Sequence, residues 1–168
     1  MTVTIRDATD ADWPAIWPFF REIVTARETY TYDPEMTEEQ ARALWMSPSN
    51  SPLARTTVAV DADGTVLGSA NMYPNRPGPG AHVASASFMV DGRARGQGVG
   101  RALCEDMIAW ARQSRFRSIQ FNAVVETNEP AVHLWQSLGF RIAGTVPEAF
   151  DHPRLGYVGL HVMYRPLP

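Results

Sequence analysis

The sequence predicts a mixed fold, α/β or α+β, in which helices pack against one central sheet. In some segments apolar residues recur at helical spacing, whereas others are short apolar runs bounded by Gly, Pro, Asn and Asp, which is typical of strands. The chain has 168 residues with 45% apolar content, which suits one domain over residues 1–168 with a core around that sheet.

The N-terminal part of the chain predicts one strand and two helices. Val3 to Arg6 is a short strand pattern, after which Thr9 or Asp10 caps a helix. The apolar residues of this helix recur at helical spacing: Trp13, Ile16, Trp17, Phe20 and Val24. Thr37-Glu38-Glu39-Gln40 is a capping box, so a second helix runs from there to about Met46.

The remaining residues predict six strands and two helices. Two strands flank Asp61-Ala62-Asp63-Gly64, which indicates an antiparallel hairpin with a tight turn. In chain order we expect strands Thr56–Val60, Thr65–Met72 and His82–Val90, a helix to about Ser114, strand Ser118–Val124, helix Pro130–Leu138, and strands Arg141–Val146 and Val158–Tyr164. Pro147 to Pro153 is predicted to be a loop.

Composition argues against several classes of partner and site. The net charge of −3 disfavours nucleic acid, although all 15 basic residues are arginines. No apolar run approaches the ~20 residues of a membrane span and Met1 to Arg6 lacks a signal-peptide layout, so we expect no membrane partner and a cytoplasmic location. The four histidines lack metal-ligand spacing, which predicts no metal site, and the one cysteine, Cys104, is expected to be a small core residue.

A glycine-rich loop lies between a predicted strand and a predicted helix, where residues 88 to 103 are F-M-V-D-G-R-A-R-G-Q-G-V-G-R-A-L. Gly96, Gly98 and Gly100 lack Cβ atoms, so the backbone can approach a ligand, and the free N–H groups of a helix start point towards it. The helix dipole and the arginines of the loop favour an anion. The loop therefore predicts a diphosphate site, although these residues alone also fit a simple turn between two elements.

Two common glycine motifs do not fit this loop. A phosphate-binding NTPase loop needs a lysine, and the chain has none, while Gly98-Val99-Gly100 continues to Leu103 and so breaks the dinucleotide pattern. Instead, Arg95 to Gly100 matches [R/Q]-x-x-G-x-[G/A], the pyrophosphate loop of the GNAT superfamily of N-acetyltransferases. Asn128 to Phe140 resembles the N-x-x-A-x-x-x-Y-x-x-x-G-F block of that family. With two motifs at family spacing, the chain resembles a GNAT acetyltransferase.

The resemblance implies a GNAT fold, with a central, mostly antiparallel, twisted sheet of about six to seven strands that is splayed between the fourth and fifth strands and flanked by about four helices. It also implies acetyl-CoA as co-substrate, with no metal. The residues that it implies for cofactor binding are Phe88, Met89, Val90, Arg95, Gly96, Gln97, Gly98, Val99, Gly100, Arg101, Asn128 and Trp135. Backbone groups of the first three would hold the thioester and the pantetheine arm.

Two of these residues have a second interpretation. Asn128 precedes a helix, so it either caps that helix or contacts the cofactor arm. Trp135 stands where most family members have a Tyr that protonates the departing thiolate, and an indole cannot serve as that acid. Trp135 then shapes the tunnel or belongs to the core, and water, Tyr157 or Tyr164 supplies the proton.

Four further residues are candidates for catalysis or acceptor binding. Glu28, between an apolar helix and the aromatic Tyr30-Thr31-Tyr32 loop, and Glu126, on a loop before Asn128, are alternative bases, with an ordered water as a third possibility. Asn122 lies in an apolar strand, where an amide needs a partner, and so is a candidate for substrate binding. Ser85 is on a hydroxyl-bearing face of the central strand, where it orients an acceptor or satisfies nearby backbone.

The resemblance also bears on the acceptor. The stretch from Tyr73 to Phe140 is most similar to L-azetidine-2-carboxylate N-acetyltransferases, and the first 35 residues to phosphinothricin-type acetyltransferases. Both imply a small amino-acid-like amine as partner, acetylated by direct attack in a ternary complex. One substrate-contacting Asn of the azetidine group corresponds to Asn122 and is present in this chain. A second corresponds to position 85, where this chain has Ser85 instead. The alternatives are a protein or peptide N-acetyltransferase and a catalytically idle acetyl-CoA sensor. A homodimer is implied only by the resemblance to relatives that form dimers.

Overall fold

The structure is a computed structural model that describes residues 2–168, which form one seven-stranded sheet and four α-helices. The elements in chain order are β1 (Thr4–Asp7), α1 (Trp13–Ala26), α2 (Glu38–Met46), β2 (Arg55–Val60), β3 (Val66–Pro74), β4 (Val83–Val90), α3 (Val99–Gln113), β5 (Ser118–Val125), α4 (Glu129–Ser137), β6 (Arg141–His152) and β7 (Gly156–Pro166). The predicted order of elements is confirmed.

Local sequence accounts for the helix starts. Thr37 caps α2, because its hydroxyl accepts from the Gln40 N–H at 3.2 Å while the Gln40 side chain accepts from the Thr37 N–H at 2.8 Å. Thr9 begins a short 3₁₀ turn, and the α-helix itself starts at Trp13.

The sheet is splayed in the middle. Its strand order is β1-β2-β3-β4-β5-β7-β6, and every neighbouring pair is antiparallel except β4 and β5. These two parallel strands share only the positions Val83↔Ser118 and Ala84↔Ile119 before they separate. The splay that the family resemblance implied therefore lies where it was predicted.

Two cores lie on opposite faces of the sheet. Val58 and Val60 of β2 belong to the core under α1 and α2, whereas Ala59 between them belongs to the core under α3 and α4. Successive side chains of a strand point to opposite faces, so this alternation places one helix pair on each side. The aromatic stripe predicted for α1 is confirmed as core, with Ile16 and Phe20 fully buried.

The loop predicted at Pro147 to Pro153 is wrong, because β6 continues through this segment. Phe150, Asp151 and His152 pair with Val158, Tyr157 and Gly156 of β7, so the two strands form one long hairpin. The register shifts between Val146 and Phe150, and Glu148 has a φ of 53°. Proline has no N–H for a ladder but is tolerated at a bulge, so Pro147 marks an irregularity inside a strand.

Asp12 ties β1 to the start of α1. Its carboxylate accepts two hydrogen bonds from the Arg6 guanidinium, at 2.7 and 2.8 Å, and one from the Thr9 N–H at 2.8 Å. The Arg6 hydrogen bond is the main reason that the pKa of Asp12 is lowered from 3.8 to about 2. A carboxyl whose folded-state pKa is depressed stabilises the fold above its unfolded pKa, and that contribution is lost as the pH falls through the folded value.

We expect Asp12→Asn to lower the free energy of unfolding at pH 7 by about 1 to 2 kcal/mol. The difference from wild type should shrink as the pH falls from about 4 to about 2, as measured by urea denaturation at each pH. Asp10→Asn is the control, since Asp10 is 86% exposed in its ion pair with Arg42. A difference for Asp12→Asn that stays constant down to about pH 2 would contradict the assignment.

Candidate functional site

A cavity of about 1070 Å³ opens where β4 and β5 separate. Its walls come from the loop after α1, strand β4, the loop before α3, strand β5 with the start of α4, and the turn between β6 and β7. The cavity thus connects the predicted phosphate loop to the predicted acceptor region.

One end of the cavity is a set of unpaired backbone donors. No backbone carbonyl or side chain within residues 2–168 accepts from the N–H groups of Gly96, Gly98, Val99, Gly100 and Arg101. Gly96 and Gly98 have φ values of 74° and 81°, which a residue with a Cβ rarely adopts, and Gly98 is the N-cap of α3. A helix start with this many free N–H groups is a site for an anion.

The arginines around this end differ in availability. Arg95 lines the cavity and makes no ion pair with any residue from 2 to 168. Arg101 also lines it, while it donates to Ser137 Oγ at 2.8 Å. Arg93 is held by the Asp91 carboxylate at 2.6 Å, and Gln97 turns back to donate to the Arg93 carbonyl at 3.1 Å. Arg95 is therefore the cation best placed for a bound phosphate, whereas Gln97 lies outside the cavity lining.

Strand β4 presents backbone groups of Phe88 to the cavity. The Asp91 N–H donates to the Leu67 carbonyl at 2.9 Å, which places Asp91, and Met89 two residues before it, on the side bonded to β3. Phe88 and Val90 alternate with them and face the splay, where β5 no longer pairs. The hydroxyl of Tyr30 hydrogen-bonds both backbone groups of Phe88: it accepts from the Phe88 N–H at 3.0 Å and donates to the Phe88 carbonyl.

Aromatic rings fill the base of the splay. The Trp135 ring lies 4.9 Å from that of Phe88 and 5.3 Å from that of Phe121, centroid to centroid, and Trp135 is buried while it lines the cavity. The two substitute acids predicted for the absent family Tyr are elsewhere. Tyr157 is 70% exposed, the Tyr164 ring stacks under Arg141, and neither lines the cavity.

Glu28 reaches the cavity from the loop after α1 and pairs with Arg154 of the β6–β7 turn, which lines the same space. The apolar burial expected for Glu28 is only partial, because its side chain is 37% exposed and faces a guanidinium. A second ion pair, Arg27 to Asp151 at 3.2 Å, lies beside the first and joins the end of α1 to the end of β6.

Glu126 lies beyond the end of β5 and does not line the cavity. Its carboxylate accepts from the Gly159 N–H of β7 at 2.5 Å, and its own N–H donates to the Gly159 carbonyl at 3.0 Å. A Cβ at Gly159 would lie 2.9 Å from Glu126 Oε2, so glycine there leaves room for the carboxylate. The geometry gives Glu126 a role in joining β5 to β7.

The predicted polar contacts Asn122, Ser85 and Asn128 all line the cavity. Asn122 is exposed rather than buried, because β5 shifts register between Phe121 and Val124, and its Nδ2 donates to Asn75 Oδ1 at 2.6 Å. Ser85 is buried in β4 opposite Tyr73. Asn128 is the N-cap of α4 by position, but its side chain makes no capping hydrogen bond and so is free for a ligand.

The sequence analysis missed several residues that line the cavity: Tyr30, Tyr32, Tyr73, His152 and Arg154. The sequence did contain a pattern that points to Tyr30, because this residue belongs to the aromatic loop that follows Glu28. His152 and Arg154 gave no local signal. The backbone N–H groups of Arg154 and Leu155 donate to His152 Nδ1, both at 3.2 Å, so the buried imidazole shapes the turn that carries Arg154.

Residues 2–168 contain no group of three or more His, Cys, Asp or Glu side chains placed to hold a metal ion. Cys104 is fully buried outside the cavity, and burial raises the pKa of its thiol, so it packs as a protonated core residue. In the described part of the chain, no helix has both the length and the apolar character needed to cross a membrane.

Curated relatives include enzymes that acetylate amino-acid analogues. The L-methionine sulfoximine/L-methionine sulfone acetyltransferase of Pseudomonas aeruginosa is 30% identical over 149 residues, which cover 88% of this chain and 86% of that protein. The N-acetyltransferase aca1 of Schizosaccharomyces pombe is 29% identical over 133 residues, or 73% of this chain. The match spans 64% of the length of aca1, and a further match spans 14% of Protein SPT10 from Saccharomyces cerevisiae.

Solved structures share the whole fold. A GCN5-related N-acetyltransferase from Kribbella flavida is 77% identical with a TM-score of 0.95, covering 98% of each chain. A phosphinothricin acetyltransferase of the GNAT superfamily from Sinorhizobium meliloti, solved in complex with AcCoA, is 27% identical with a TM-score of 0.84, covering 99% of this chain and 89% of that one. Residues 17–140 match the sequence model of the Acetyltransferase (GNAT) family. This chain therefore belongs to the GNAT acetyltransferase family.

Proposed function

We propose that this chain is an acetyl-CoA-dependent N-acetyltransferase that acetylates the amine of a small amino-acid-like substrate by direct attack in a ternary complex. The observation that carries the proposal is the set of unpaired N–H groups of Gly96, Gly98, Val99, Gly100 and Arg101, which opens into the cavity between the separated strands. Family membership and the AcCoA-bound phosphinothricin acetyltransferase support the same co-substrate. When bound, acetyl-CoA supplies an acyl thioester that is activated towards an amine.

The residues present fit this co-substrate. The free N–H groups at the start of α3 and the Arg95 guanidinium suit its diphosphate. Backbone groups of Phe88 and Val90 on the open edge of β4 suit its amide-bearing arm, since an extended ligand can pair like an added strand. The Asn128 side chain, which makes no cap, adds a polar contact at the same wall.

At the other end of the cavity, charge complementarity supports an amino-acid acceptor. The Glu28–Arg154 pair presents one carboxylate and one guanidinium to the cavity. Both side chains are more than a third exposed, so their mutual attraction contributes only about 0 to 1 kcal/mol and is readily exchanged. We assign the acceptor carboxylate to Arg154 and its amino group to Glu28, which then takes the amine proton as general base. The relative that acetylates methionine analogues supports this acceptor class.

Direct attack is favoured over a cysteine-bound intermediate. Cys104 is the one cysteine of the chain, and it is buried away from the cavity with a raised pKa. A thiol that stays protonated and lacks access to the cavity is a poor nucleophile. The cytoplasmic location, the homodimer and the lack of nucleic-acid and membrane partners stay predictions.

Arg95→Ala should weaken acetyl-CoA binding about tenfold, because it removes an unpaired cation beside the diphosphate while leaving the helix start intact. Isothermal titration calorimetry at two salt concentrations measures the loss, and the salt dependence should fall in the variant. Arg93→Ala is the matched control, since the Asp91 carboxylate already holds that guanidinium. Equal acetyl-CoA affinities for the two variants would contradict the role of Arg95.

Glu28→Gln should lower kcat about 100-fold or more at neutral pH, because the variant cannot take the amine proton. Arg154→Ala should instead raise KM for an amino acid such as L-methionine sulfone and reduce the preference for it over its carboxamide. Steady-state kinetics over a panel of amino acids and peptides measures both effects.

Asp151→Asn is the control for the Glu28 and Arg154 variants. It breaks the neighbouring ion pair between Arg27 and Asp151, and neither of these residues lines the cavity. If Glu126→Gln lowers the rate and Glu28→Gln does not, the base assignment is wrong. Turnover with peptides only would favour the protein acetyltransferase, and acetyl-CoA binding without acetylation of any amine would favour the sensor.

A further inference from the structure

The side chain of Tyr30 lines the cavity and binds the backbone of Phe88 in strand β4. Its hydroxyl accepts from the Phe88 N–H at 3.0 Å and donates to the Phe88 carbonyl, on the edge of β4 that faces the splay. Both Phe88 groups lie beyond Ala84 and Ile119, where β4 and β5 stop pairing. A phenol on the loop after α1 therefore satisfies the strand edge that the proposed thioester would bind.

The thioester and Tyr30 compete for one donor. The Phe88 N–H makes a linear hydrogen bond with one acceptor at a time, so a thioester oxygen bound there displaces the Tyr30 oxygen from it. The displaced hydroxyl stays next to the thioester, because its ring is held by stacking. The Tyr30 and Tyr32 ring centroids are 5.1 Å apart, and the Tyr32 ring in turn stacks on Phe20 at 6.1 Å.

We propose that Tyr30 is a catalytic residue of acetyl transfer, whose hydroxyl donates a hydrogen bond to the thioester oxygen beside the Phe88 N–H. This inference rests on the proposed function. As the amine forms its C–N bond, negative charge develops on that oxygen, and two donors that are already in place, the Phe88 N–H and the Tyr30 hydroxyl, stabilise it. The C–S bond then breaks with its electron pair on sulfur. Glu28 takes the proton that the amine releases, a proton from solvent neutralises the thiolate, and Tyr30 keeps its own proton.

The acidity of Tyr30 suits a hydrogen-bond donor better than a proton donor to sulfur. Burial is the main cause that raises the pKa of Tyr30 well above 10, so the hydroxyl is neutral at physiological pH. Transfer of its proton to a thiolate would raise the free energy, because the thiol that forms has a pKa of only about 8.5. Donation of a hydrogen bond needs no such transfer. The chain thus gains a phenol at the thioester although Trp135 occupies the place of the usual family Tyr.

Two measurements test the role of Tyr30 in Tyr30→Phe, which removes only the hydroxyl. With L-methionine sulfone as acceptor, we expect kcat to fall about 100- to 1000-fold while KM for acetyl-CoA changes less than about threefold. Isotope-edited infrared spectra of carbonyl-labelled acetyl-CoA bound to the protein need no acceptor. The thioester carbonyl band should lie at lower frequency on the wild type than on Tyr30→Phe.

Tyr32→Phe is the control for the infrared measurement, because Tyr32 stacks on Tyr30 from the same loop but makes no hydrogen bond to Phe88. Its carbonyl band should match that of the wild type. An unchanged band and an unchanged kcat in Tyr30→Phe, with tighter acetyl-CoA binding, would overturn the proposal and leave Tyr30 as a competitor for the Phe88 edge. Failure of the wild type to bind acetyl-CoA would instead overturn the proposed function itself.

Discussion

The early end of pairing between β4 and β5 is the constraint on which the rest of the site depends. Two shared register positions hold the strands together, and beyond them each strand edge carries backbone groups that β-pairing no longer satisfies. Buried N–H and C=O groups without partners are costly, so something must bind them. In this chain the Tyr30 hydroxyl binds both backbone groups of Phe88.

The splay also determines the direction of the site. Strand β4 leads into the loop before α3, so the unsatisfied strand edge and the unsatisfied helix start lie on one path along the cavity. Both present N–H groups, first in an extended strand and then at a helix N-terminus with its positive dipole. A ligand with an amide-bearing arm and a diphosphate matches this order of donors better than a compact anion would.

The opposite end of the cavity is assembled from segments far apart in the chain. The loop after α1 supplies Glu28 and the aromatic residues, and the β6–β7 turn supplies His152 and Arg154. These segments are joined by two exposed ion pairs, which are individually weak and easily exchanged for ligand contacts. The end of the cavity at the start of α3 is therefore built from backbone groups, whereas the opposite end depends on side chains whose partners can change.

Strand and helix positions could be predicted because they rest on local patterns. Apart from β6, the strand ends that we predicted agree with the structure within two residues, since alternation, helical periodicity and capping are properties of neighbouring residues. The β6–β7 hairpin was the exception. Pro147 and Pro153 are typical turn residues, and only the cross-strand pairing of Phe150 with Val158 shows that Pro147 lies at a bulge within a strand.

The sequence by itself determined the mixed fold, the glycine loop at the start of α3 and, through two motifs, the family. These features are encoded within short segments, where glycine and capping residues dictate backbone conformation directly. Tertiary structure alone decided which groups meet in the cavity. It pairs Arg154 with Glu28 and the Tyr30 hydroxyl with the Phe88 backbone, whereas Glu126 binds Gly159 outside the cavity. The physical reason is that such contacts depend on how strands separate and pair over long sequence distances, which local pattern does not specify.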